Sequence, residues 1–149
     1  MSKIRLTKTF PFEMAHALYG YDGPCKNIHG HSYVMQVTVI GEPIEDGSHV
    51  KNGMVMDFSD LKKIVKEKIV DDVDHALVLN GDSPHRDLKN LNETFEKIIF
   101  VPYQPTCENL LIDFKNRIQK YLPTNVKLQS MRLSETASSY SEWFADDNK

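Results

Sequence analysis

Between Cys25 and His31 the chain reads Cys-Lys-Asn-Ile-His-Gly-His, a thiol and two imidazoles in one short stretch. An alternating apolar run comes next: Tyr33, Met35, Val37 and Val39. If that run is a β-strand extending back through His31, its period of two puts His29, His31 and Tyr33 on one face. Imidazoles at i and i+2 on a strand can grip one metal ion, and Gly30 between them leaves the opposite face without a side chain. Zinc takes neutral imidazole nitrogens at about 2.0–2.1 Å and keeps an open position when it is catalytic. Two ligands do not complete a site. A third histidine, His16, ends another alternating stretch, Ile4, Leu6, Lys8, Phe10, Phe12, Met14, His16. Zn2+ held by His16, His29 and His31 is therefore the expectation. Cys25 admits three readings: a fourth ligand that closes a structural site, an inert buried thiol, or a reactive thiolate favoured by a neighbouring cation.

Other residues carry chemistry with more ordinary alternatives beside it. In Asp74-His75 the carboxylate could fix the imidazole tautomer and support its protonated form, as a general acid–base pair does. The same dipeptide could equally be a helix-end histidine near an acid. Glu135 comes after Ser134 at the end of a strand, where a solvated carboxylate is common. His49 and His85 fall in polar loop sequence and are expected to be solvated. Cys107 lies on the apolar stripe of a helix, as a small buried hydrophobe would.

The elements that must position these groups are set by periodicity. Residues 4–16 read as a strand with one mostly apolar face; Lys8 and Pro11 point to an edge position or a bulge. The stretch from Leu18 to Pro24 reads as a loop, and a second strand runs to about Gly41. Asp57 to Asp60 supplies helix-start residues, and Leu61, Ile64, Val65 and Ile69 form a stripe that ends near Val70–Asp72. The segment from Asp74 to Gly81 is less regular, and 82–103 reads as a long excursion. Thr106 is the expected N-cap of a second helix, with Leu110, Leu111, Phe114 and Ile118 facing inward and Pro123 stopping it. Two more strands, Val126 to about Glu135 and Ser138 to Phe144, close the chain. The order is β-β-α-α-β-β in one α+β domain spanning 1–149: an antiparallel sheet with both helices on one face.

Bulk properties narrow the function classes. A chain of 149 residues with net charge −3 carries no global basic field, which argues against nucleic acid as a partner. Two cysteines are too few for a disulfide framework. No window is apolar enough for a membrane span, and the first residues lack the apolar core of a signal peptide, so a cytoplasmic protein is expected.

Several motifs occur together in order: Phe12-Glu13-Met14-Ala15-His16, Cys25-x3-His29-Gly30-His31, Gly53-Met54-Val55-Met56-Asp57-Phe58, Asp74-His75, Pro105-Thr106-Cys107-Glu108-Asn109 and Ser134-Glu135-Thr136. In this the chain resembles the 6-pyruvoyl-tetrahydropterin synthase family, which includes the 6-carboxy-tetrahydropterin synthases of the queuosine pathway. The resemblance implies the tunnelling fold, with sheets joined into a barrel and two trimers stacked as a homohexamer with active sites at subunit interfaces. It implies His16, His29 and His31 as zinc ligands, Cys25 as the proton-abstracting base, Asp74 and His75 as a proton relay, Glu135 as the pterin anchor and Thr106 at the same pocket. The implied substrate is 7,8-dihydroneopterin triphosphate. Three residues separate Cys25 from His29 here, as in the queuosine-type branch, which releases 6-carboxy-tetrahydropterin, acetaldehyde and triphosphate. The mammalian-type branch, with a longer gap, stops at 6-pyruvoyl-tetrahydropterin, and a folate-bypass branch replaces the cysteine with glutamate. The excursion between Gly81 and Gln104 is longer than in compact bacterial members. The rival of another class is a non-catalytic zinc-stabilised module, with Cys25 as fourth ligand.

Overall fold

Alternation of side chains builds the first two strands and fixes how they meet. In a computed structural model that describes residues 2–149, β1 (Ile4–His16) and β2 (His29–Gly41) pair antiparallel along their whole length, with Phe10 opposite Met35 and His16 opposite His29. Phe10, Phe12, Met14, Tyr33, Met35, Val37 and Val39 are buried on one face of this ribbon. β5 (Val126–Thr136) adds antiparallel to β2, with an irregularity at Thr38/Val39, and β6 (Ser139–Phe144) adds to β5. Gly41 sits where the chain passes closest to the loop before β5; a Cβ there would lie 2.9 Å from the Asn125 carbonyl oxygen.

Helices cover the apolar face. Asp57 caps α1 (Phe58–Val65) by accepting the Ser59 N–H at 2.8 Å. The helix widens through a π-type turn, Lys66–Val70, and ends in α2 (Asp71–Val73). After the single turn α3 (Leu91–Thr94), α4 (Cys107–Gln119) buries Cys107, Leu110, Leu111, Phe114 and Ile118 against the same face. Thr106 Oγ1 accepts the Asn109 N–H at 3.1 Å, which is the expected cap.

The sheet departs from the antiparallel expectation at one side. β3 (Ala76–Asn80) and β4 (Ile98–Val101) lie where the sequence reads as irregular chain, and they extend the sheet to six strands in the order β4-β3-β1-β2-β5-β6. β3 runs parallel to the last three residues of β1, and β4 runs parallel to β3. Ala76, Leu77, Val78 and Leu79 are all buried, so β3 shows no polar–apolar alternation to betray it. The excursion supplies the second cover: Leu91 and Phe95 pack on Ala17, Leu77 and Leu79. Because β3 touches β1 only at Met14–His16, the outer edge of β1 is open over most of its length, where the missing N–H of Pro11 costs least.

Phe114 is fully buried and meets Phe12 edge-on at a centroid distance of 6.1 Å. Phe114→Ala is expected to lower unfolding stability by about 3–5 kcal/mol, read as a reduced urea midpoint at unchanged slope.

Candidate active site

The register of β1 and β2 sets His16 directly opposite His29, and His31 lies two residues further along the same face of β2. Their rings stand edge to face, with centroids 4.6 Å apart for His16–His29, 5.3 Å for His16–His31 and 4.9 Å for His29–His31. One nitrogen from each ring falls within 4.8 Å of the other two. His16 is almost fully buried, whereas His29 and His31 are half-buried.

Two main-chain carbonyls fix the tautomers. His16 Nδ1 donates to the Pro105 carbonyl at 2.7 Å, and His29 Nδ1 donates to the Asn27 carbonyl at 2.6 Å. Each neutral ring then carries a bare lone pair on Nε2, and the two Nε2 atoms face each other at 3.0 Å. His31 Nε2 is buried without a hydrogen-bond partner among the described residues. Glu135 Oε1 lies 3.3 Å from His16 Nε2 and 3.4 Å from His31 Nε2. Lone pairs and a carboxylate oxygen gathered around one point demand a cation there, either protons shared with Glu135 or a metal ion. Carbonyls behind the rings are the usual outer support of metal-binding histidines. These residues fit a zinc ion.

In the form where protons are shared with Glu135, electrostatics favour a neutral His31 and an ionised Glu135. Burial holds His31 below the ordinary histidine value; Glu135 opposes that effect, and the charges of His16 and His29 add to it. The hydrogen bond with His16 holds the Glu135 carboxyl below its usual range against the opposing effect of burial, helped by the charges of the three histidines. Beneath the cluster Tyr33 is fully buried, stacked on Phe12 at 5.2 Å and edge-on to His31 at 5.5 Å.

Glu135 also lines a cleft of about 370 Å3 with Cys107, Glu108, Ser139, Tyr140 and Ser141. Cys107 is buried as expected, and its Sγ lies 3.1 Å from Ser141 Oγ at the wall of this cleft. The hydroxyl of Thr106 is engaged in capping α4, while the carbonyl of the residue before it orients His16. Cys25 is half-buried in a short 3-10 turn, Pro24–Lys26, and its carbonyl accepts the Leu18 N–H.

Asp74 and His75 form a pair, Nδ1 to Oδ1 at 3.2 Å, with His75 largely exposed. The backbone of Glu13, not the histidine cluster, holds this pair: Glu13 N–H donates to Asp74 Oδ1 at 2.9 Å, and the Glu13 carbonyl accepts the His75 N–H. That N–H from Glu13 keeps the Asp74 carboxyl below its ordinary range, with a smaller contribution from His75. His75 lines a shallow cleft with Glu13, His31, Ser32 and Phe95, so one histidine of the cluster borders the same cleft. His85, expected to be solvated, is instead half-buried and edge-on to Tyr19 at 5.2 Å, and burial lowers its pKa. The carbonyls of Asn27 and Pro105 left no mark in side-chain patterns, because any residue can supply a carbonyl.

The 6-pyruvoyl tetrahydropterin synthase family model matches residues 5–145. The chain belongs to that family. Among relatives in the 6-pyruvoyl tetrahydropterin synthase family, it is 38% identical over 144 residues to the 6-carboxy-5,6,7,8-tetrahydropterin synthase of Haemophilus influenzae, covering 93% of this chain and 97% of that one. It is 32% identical to the dihydroneopterin monophosphate aldolase of Pyrococcus furiosus, over 89% of this chain and 90% of the other. The solved structure of Caenorhabditis elegans 6-pyruvoyl tetrahydropterin synthase superposes with a TM-score of 0.67 at 26% identity, covering 97% of each chain. The six-stranded sheet and helices of this chain thus have the family's tunnelling fold. No helix of the described residues is long and apolar enough to cross a membrane.

Dialysis against Zn2+, desalting and elemental analysis are expected to leave one ion per chain. His31→Ala should lose most of it, and retention of the full complement would remove His31 from the ligand set.

Proposed function

We propose that this chain is a zinc-dependent lyase that converts 7,8-dihydroneopterin triphosphate to 6-carboxy-5,6,7,8-tetrahydropterin, acetaldehyde and triphosphate, the reaction that serves queuosine and 7-deazapurine synthesis. The observation that carries the reading is the convergence of three imidazole nitrogens beside a carboxylate that also walls a cleft, in a chain whose relatives include 6-carboxy-5,6,7,8-tetrahydropterin synthases. In this reading His16, His29 and His31 hold the ion. Zinc, when bound, supplies Lewis acidity that makes protons beside the substrate's side-chain oxygens easier to remove.

The chain's own groups do the rest. Cys25, as thiolate, takes a proton from the substrate side chain, and Lys26 to Ile28 set its distance from the ligands. His75 returns a proton, while Asp74 holds the ring through Nδ1. Glu135 accepts two parallel N–H bonds from the 2-amino and ring N–H edge of the pterin, with Thr106 at the same pocket. The exposure of His75 and its attachment to Glu13 support a site shared between copies of the chain, as in a homohexamer built from two trimers. The open outer edge of β1 supports sheets joined edge to edge. A cytoplasmic location belongs to the same reading.

Incubation of the purified protein with dihydroneopterin triphosphate tests the product. Acetaldehyde and 6-carboxy-tetrahydropterin are expected; 6-pyruvoyl-tetrahydropterin without acetaldehyde would move the protein to the other branch. Cys25→Ala should keep zinc and fold while turnover disappears, whereas joint loss of zinc and structure would favour the non-catalytic zinc module. Glu135→Gln should raise KM at least tenfold, on the order expected for losing a charge-assisted bidentate contact, with zinc content unchanged.

A further inference from the structure

The excursion between β3 and β4 ends in a lysine that reaches back to the proton-handling pair. Lys97 Nζ donates to the Asp71 carbonyl at 2.9 Å and to the Asp74 carbonyl at 3.0 Å. The second contact is to the peptide that joins Asp74 to His75. The N–H of that same peptide donates to the Glu13 carbonyl on β1. The peptide plane is therefore tied on both sides, its oxygen by an ammonium and its N–H by a strand. The flanking groups are tied as well: Asp74 N–H donates to the Val70 carbonyl at 2.8 Å, and Leu77 N–H donates to the Lys97 carbonyl at 2.9 Å.

Immediately after this plane, His75 adopts φ 61°, in the left-handed region, which a histidine holds only when its surroundings fix it. Its ring is largely exposed, so little packing restrains the imidazole. Its direction is set by the backbone and by the Nδ1 contact to Asp74. Lys97 bonds the carbonyl at the start of this turn, and its charge also favours ionised Asp74.

We infer that Lys97 is a positioning residue for the Asp74-His75 pair, holding the peptide between them so that the imidazole presents to substrate in one direction. The inference rests on the proton-relay reading of that pair given above. Asp71 opens the last turn of the helix and Asp74 is its C-cap, so the lysine closes the helix end and, through the Asp74 carbonyl, also holds the peptide that leads into His75.

The test uses the zinc-loaded wild type, Lys97→Met and Lys97→Arg. Absence of turnover of dihydroneopterin triphosphate by wild type would sink the relay reading and this inference together, before any variant is compared. With an active wild type, Lys97→Met is expected to lose about tenfold or more in kcat at a KM within twofold, since misplacement of a catalytic group falls on the chemical step. Its His75 amide should exchange with deuterium about tenfold faster as the turn loosens. Lys97→Arg, which can still donate to both carbonyls, should recover most of the kcat. An unchanged kcat in Lys97→Met, or a loss shared by kcat and KM that tracks a fall in Tm, would overturn the positioning role while leaving the relay reading intact.

Discussion

Lone pairs that face one another in a buried place must share a cation, and the structure is arranged around that requirement. The carbonyls of Pro105 and Asn27 commit the Nδ1 protons of His16 and His29, leaving their Nε2 atoms bare and 3.0 Å apart. The two rings meet only because β1 and β2 pair in the register that sets position 16 against 29. A slip of one residue would send every side chain of a strand to the other face, so the apolar pattern that buries Phe10, Phe12, Tyr33 and Met35 also aims the imidazoles. Folding of the core and assembly of the cluster are one event.

Much of this was legible in the sequence. Both long strands, the caps at Asp57 and Thr106, and the placement of His16 beside His29 and His31 follow from alternation and helix-start chemistry. β3 was not legible because its residues are buried on both faces and so show no period. β4 was hidden by the polar chain before it, and its pairing partner was the strand already missed. Nor could side-chain patterns disclose the carbonyls behind the rings. Only the resemblance singled out Glu135; its contact with His16 and His31 needed β5 to end beside the start of β2.

The excursion has a structural use that its composition conceals. Leu91 and Phe95 cover β3, Gln104 Nε2 donates to the Tyr19 carbonyl at 2.9 Å, and His85 packs on the Tyr19 ring. Tyr19 belongs to the loop whose Leu18 N–H is tied to Cys25. One segment thus braces both the thiol's loop and, through Lys97, the Asp74-His75 turn.

The end of β1 serves two masters. His16 faces the histidine cluster, while Glu13, three residues earlier, grips Asp74 and His75 through its main chain. If centres are shared between copies as proposed, one damaged strand end would disturb the imidazole cluster of one centre and the Asp74-His75 pair of the next. Defective chains mixed with sound ones would then subtract more activity than their share of the population, so the assembly would be poisoned by a minority of its members.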